Sequence, residues 1–180
     1  DGLPFWISNP YFERDKTKSI CYVGNSNSGV AERNEALAKT QAETRAKNGI
    51  SEQLEANIGR LVEMFDNFLD SSETVSNDDG ESSENKVFST STLKEINEIY
   101  TEKTLPSIRY DAFFYYPERV NPKKIYVLAC VDNNTMKFSD QLAKDALNLA
   151  AKEGLEIDHE EAMVRFDSVR EAYLKEQAAE

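Results

Sequence analysis

The sequence predicts an α+β protein: one long helix packed on a small antiparallel sheet, with additional helices at the C-terminal end. Three observations predict it. Ala38, Ala42, Ala46, Ile50, Leu54, Ile58 and Val62 recur every four residues, one apolar stripe on a helix from Val30 to about Phe65. Ile108 to Tyr116 (IRYDAFFYY) and Lys124 to Asp132 (KIYVLACVD) are dense in strand formers and flank a loop with two prolines, a hairpin pattern. After Asn133 the apolar spacing returns to a helical period. This places an α+β domain over 1–135 and a C-terminal helical segment over 136–180, packed on that domain or on a partner subunit.

In chain order, the lead DGLPFWISNPYF carries Phe5, Trp6, Ile7, Tyr11 and Phe12 around two prolines, which predicts a segment tied down on a core, with Trp6 as packing rather than a binding residue. Ser19 to Gly24 (SICYVG) reads as a short strand, and NSNSG (25–29) as the loop delivering the chain into the long helix. The three alanines of the stripe invite close approach of a strand, whereas Ile50 to Phe65 supplies bulk for a conventional core. The helix is expected to fade beyond Phe65. A loop follows at about 70–85, rich in Asp, Glu and Ser; its acidic residues lack the spacing of a calcium loop. Val87, Phe88 and Thr90 start like a strand, and Leu93, Ile96, Ile99 and Tyr100 continue as a helix. Met136 to Glu153 reads as a helix stopped by Gly154. Asp158 caps a last helix to about Gln177. There Ala162, Phe166, Val169 and Tyr173 form a 4-3-4 seam, a candidate partner surface or a face docked on the protein's own core.

Function classes are narrowed by composition and by what is missing. The net charge is −12 and the pI about 4.7, arguing against nucleic acid or anionic membrane surfaces as main partners. No apolar run approaches the roughly 18 residues of a membrane span. The chain begins at Asp1 with no initiator Met, which fits either a trimmed chain or a mature protein, so a targeting segment could have been removed. His159, the single histidine, sits in the DHEE run of a capped helix start, not in a triad. Gly24 to Gly29 lies between strand and helix but lacks both the P-loop lysine and the GxGxxG pattern. No catalytic, cofactor-binding or metal-ligating residue is expected. Cys21 and Cys130 each fall in a strand-like run; two free buried thiols and a Cys21–Cys130 disulfide both fit, the second requiring neighbouring strands and an oxidising compartment.

The order of these pieces is informative. Pro4, Phe5 and Trp6 precede the strand ending at Gly24; the ladder helix follows, then the hairpin closing in Tyr126-Val127-Leu128-Ala129. Over about Leu3 to Asp132 this resembles the twenty-kilodalton (Lpp-twenty) family of bacterial envelope lipoproteins, a group related to a flagellar basal-disk lipoprotein and to the secreted tumour-necrosis-factor-inducing protein. The resemblance implies a dodecin-like core in β-α-β-β order and export to the periplasm, outer membrane or cell surface. It also implies a lipid anchor upstream of Asp1 and assembly into homo-oligomers or with an envelope protein. It carries no catalytic residues and no cofactor. The lipidated cysteine is not in this sequence, and the long acidic loop departs from the pattern. Export would favour the disulfide. The expected function is therefore a non-enzymatic envelope protein, motility-associated or a surface antigen or virulence-related factor. The rival is a periplasmic small-molecule-binding module whose pocket uses Phe113, Phe114, Tyr115 and Tyr116.

Overall fold

A helix does form on the alanine ladder, but it starts and ends later than the periodicity predicts. In the computed structural model, which describes residues 2–70 and 87–179, a single turn α2 (Val30–Arg33) is separated by Asn34 from the long helix α3 (Glu35–Asp70). Asn34 is extended and its side-chain oxygen accepts the Leu37 N–H at 3.0 Å, an N-cap inside the apparent ladder. At the other end the stripe continues through buried Leu69, so nothing stops the helix at Phe65. The remaining elements are α1 (Phe5–Ser8), β1 (Ser19–Asn25), α4 (Thr90–Thr104), β2 (Arg109–Tyr116), β3 (Lys124–Asp132), α5 (Ser139–Lys152) and α6 (His159–Ala179). The fold is thus α+β, with a three-stranded antiparallel sheet in the order β1-β3-β2.

Contacts divide the chain differently from the expected boundary at 135. One compact unit is Asp1–Leu54 with Glu102–Asn133, and the other is Glu55–Thr101 with Asn134–Glu180. The second half of the ladder and α4 therefore belong with the C-terminal helices.

In the first unit one face of the sheet packs on α3. Ile125 and Val127 meet Ala31, Ala38 and Ala42, and Ala129, Val131 and Ile20 meet Ala46, Ile50 and Leu54. The small half of the stripe admits β1 very closely. A Cβ built at Gly24 would run into the Ala42 carbonyl and the Ala46 amide, and one at Gly49 would run into the Tyr22 ring. The loop after β1 is pinned by polar contacts: the Arg45 guanidinium donates to the Asn25 carbonyl at 2.7 Å and to the Asn27 side chain at 2.6 Å. Buried Ser26 accepts the Ile125 N–H at 2.9 Å. The opposite sheet face carries Cys21, Leu128 and Cys130, covered by Trp6 and Tyr11 of the aromatic lead.

The second unit is helical. Ile58 to Leu69, Val87 and Phe88 pack with Ile96 and Tyr100 of α4 and with the apolar faces of α5 and α6. Phe65 is its centre, 5.5 Å from the Phe88 ring and 4.8 Å from the Phe166 ring. Val87 and Phe88 do not form the expected strand: the Phe88 N–H donates to the buried Asp66 carboxylate at 2.6 Å instead of to a ladder partner. Helix α5 ends where expected, with Gly154 at φ +90° and the Leu155 N–H returning to the Ala150 carbonyl at 3.1 Å. Asp158 caps α6 through the Glu161 N–H at 3.1 Å. Of the acidic stretch, residues 71–85 lie outside the described residues.

Candidate functional site

The chemistry-bearing residues singled out from the sequence sit in structural roles. Ala162, Phe166, Val169 and Tyr173, read from the sequence as either a partner surface or a face docked on the protein's own core, are all at most 3% exposed and lie in the core of the second unit. This corrects the partner-surface reading in favour of the other: the unit's own apolar helix faces cover the seam. His159 is half-buried at the start of α6, and among the described residues no cluster of His, Cys, Asp and Glu could hold a metal ion. The Gly24–Gly29 loop is consumed by packing at Gly24 and by a bond from the Gly29 N–H to the Lys123 carbonyl at 3.2 Å.

Cys21 and Cys130 stand directly opposite in the β1–β3 register with Cα atoms 4.2 Å apart, and their sulfurs are bonded. That spacing belongs to a non-hydrogen-bonded antiparallel pair. The Cys21 N–H therefore points away from β3, and the Tyr11 hydroxyl accepts it at 3.2 Å. Further along the same edge the Ser19 N–H is taken by the Asp15 carbonyl at 3.1 Å. The β1 edge is thus largely dressed by the chain itself.

The β2 edge is not dressed in this way. Among the described residues β2 pairs only with β3, and it is exposed or half-buried along all eight of its residues. The four consecutive aromatics split between the faces and do not line one enclosed pocket. Phe113 and Tyr115 lie on the helix side, under the Lys39 ammonium at 4.8 Å and the Arg119 guanidinium at 3.9 Å. Phe114 lies 6.4 Å from the Tyr126 ring on the other side. Tyr116 opens onto a cleft of about 590 Å³ that it lines with Leu3, Glu32, Lys123, Lys124 and Tyr126. The Lys124 ammonium lies 5.3 Å from the Tyr126 ring centre.

A second cleft of about 410 Å³, in the helical unit, is lined by Met64, Phe68, Val169 and Ala172, with Arg60 at its rim donating to Glu176 at 3.0 Å. Two shifted groups elsewhere in the structure serve packing. The Ser89 hydroxyl at 2.7 Å, then Thr92 and Ser91, hold the Glu153 carboxyl below the usual carboxylate range. Burial, then its bond to Asp145 at 2.9 Å, pushes the Tyr100 phenol up. Each ties α4 or the residue before it to α5 or its C-cap.

Sequence reasoning did not single out Leu3, Lys123, Lys124 or Tyr126. One signal was there: Lys123-Lys124 is the only adjacent pair of basic residues in the chain. No family model and no curated protein matches this chain.

Proposed function

We propose that this chain is a non-enzymatic protein of the bacterial cell envelope, similar to the twenty-kilodalton lipoproteins and dodecin-like in its β-α-β-β core, that works by self-assembly or by binding an envelope protein. The observation that carries the reading is the β2 edge. An aromatic edge strand of eight residues with open backbone donors and acceptors is a template for pairing with another chain. The bonded Cys21–Cys130 pair supports export, because such bonds persist in oxidising compartments. A lipid anchor upstream of Asp1 and a role as a motility part, surface antigen or virulence-related factor follow from the resemblance alone.

Sedimentation velocity over a concentration series tests the assembly. The wild type should show a reversible oligomer, and Phe113→Glu, which places a charge on the free edge, should shift it to monomer with the fold intact. A wild type that stays monomeric at high concentration and captures nothing from envelope extracts sinks the proposal. For the compartment, thiol trapping in cells that express the whole gene should find Cys21 and Cys130 blocked; reduced thiols would remove the case for export.

A further inference from the structure

We propose that the face of the sheet unit bearing Leu3, Phe5 and Phe12 beside Lys123 and Lys124 docks on an anionic phospholipid surface. This is a protein–lipid contact separate from the β2 edge and from any covalent anchor. Phe5 is 73% exposed and stacks on Phe12, itself 42% exposed, with ring centres 5.4 Å apart. Leu3, two residues before Phe5 and 44% exposed, lines the cleft with Lys123 and Lys124. Clustered side chains of this size are unfavourable in water, and a contiguous patch of them marks an interaction surface.

The exposure is built in. The same short segment sends Trp6 and Tyr11 inward onto Cys21, Leu128 and Cys130, and the Asn9 N–H closes the α1 turn on the Phe5 carbonyl at 2.9 Å. Its aromatics are divided between a docked side and a presented side. What is presented protrudes, so it fits a surface that yields to insertion better than a ligand that needs enclosure.

The polar groups next to it match the same surface. Tyr116 and Tyr126, which line the cleft with Leu3, are the residue type that sits at a membrane's headgroup level. Lys123 and Lys124 in that cleft can meet lipid phosphates, against a single opposing carboxylate at Glu32. The total charge of −12 argues against an anionic surface only if it is evenly spread. It is not: Lys123 and Lys124 line the cleft against Glu32, whereas Arg109 and Arg119 are paired with Asp132 and Glu35. Screening makes the local sign decide at contact distance. Exposed apolar side chains close in the chain to a residue that shares a cleft with two lysines supply both the apolar and the cationic part of a peripheral membrane contact.

Co-sedimentation with sucrose-loaded vesicles tests this, using phosphatidylcholine alone and phosphatidylcholine mixed with phosphatidylglycerol. The wild type should bind the mixed vesicles more tightly and lose that preference in high salt. Lys123→Gln/Lys124→Gln should weaken binding to mixed vesicles by about 25-fold, at roughly fivefold per lysine, and leave binding to phosphatidylcholine unchanged. Phe5→Ser/Phe12→Ser should weaken both by about tenfold or more. A wild type that ignores both vesicles, or variants that bind like the wild type, would each overturn the proposal. The assembly reading stands or falls separately, on the oligomer series and on Phe113→Glu.

Discussion

Gly24→Ala should be among the most damaging single-methyl changes available in this protein. The new Cβ would meet the Ala42 carbonyl oxygen and the Ala46 amide nitrogen, with the Ala42 carbonyl carbon at 3.0 Å. All are backbone atoms in the first half of α3, so no side-chain rotation relieves the clash. Either β1 lifts away or α3 bends, and both separate Ile20 from Ala46 and Ile50 in the core. Overpacking a close-packed site costs about 1–3 kcal/mol, and fixed obstacles put this one at about 3 kcal/mol or above. For a chain of this size that lowers Tm by roughly 6–12 °C. Gly59→Ala is the internal control. There the added Cβ would meet only the Asn97 side chain at 3.7 Å, ordinary contact on a helix, so the change should stabilise by about 0.5–1 kcal/mol. Urea unfolding followed by far-UV circular dichroism reads both. If Gly24→Ala falls within about 0.5 kcal/mol of wild type, or Gly59→Ala is as damaging as Gly24→Ala, the close-approach argument is wrong.

Three further outcomes follow from individual contacts. Cys21→Ala/Cys130→Ala opens a loop with a sequence separation of 109 residues and should lower stability by about 2–5 kcal/mol in calorimetry. Asp66→Ala removes the acceptor of the Phe88 N–H in a buried setting and should cost about 1.5–3 kcal/mol. Asp66→Asn should retain most of that stability, and exchange of the Phe88 amide should rank the two variants the same way. Burial and the bond to Asp145 raise the Tyr100 phenol above its ordinary 10.0, so the folded state keeps a proton that the unfolded state releases. That contribution is complete below pH 10.0 and is lost as pH rises past it. Wild-type stability should therefore fall with alkaline pH more steeply than that of Tyr100→Phe, as measured by denaturation midpoints across the range.

The residues explain which features were legible in the sequence. The four-residue stripe, the hairpin and the stops at Gly154 and Asp158 are local signals, and each element formed near its expected place. Asn34 was hidden because a ladder of alanines with charged residues between them tolerates an Asn by composition, whereas its capping geometry emerges only once β1 has set where the turn must fall. Val87 and Phe88 carried strand propensity with no strand paired to them among the described residues, and the Asp66 carboxylate takes the Phe88 donor. The α6 seam has the same spacing whether it meets its own core or a stranger, and periodicity cannot separate these. Cysteine pairing needed a register, which Cys21↔Cys130 supplies. The cleft brings together residues far apart in the chain, with the lysine doublet as its local signal. The aromatic lead was expected to be tied down on a core; Trp6 and Tyr11 are, whereas Phe5 and Phe12 are exposed.

The link between β1 and β3 also alters what a cut would do. Residues 22–129 lie inside the ring it closes, so one severed peptide bond anywhere among them leaves a single covalent molecule. A protease that nicks there would change nothing on a non-reducing gel, and two fragments would part only after reductant. A cut outside the ring, in the aromatic lead or in α6, would release its piece at once. The chain is thus covalently tolerant of damage between the two cysteines and vulnerable outside them, and the lead that presents Phe5 and Phe12 lies outside.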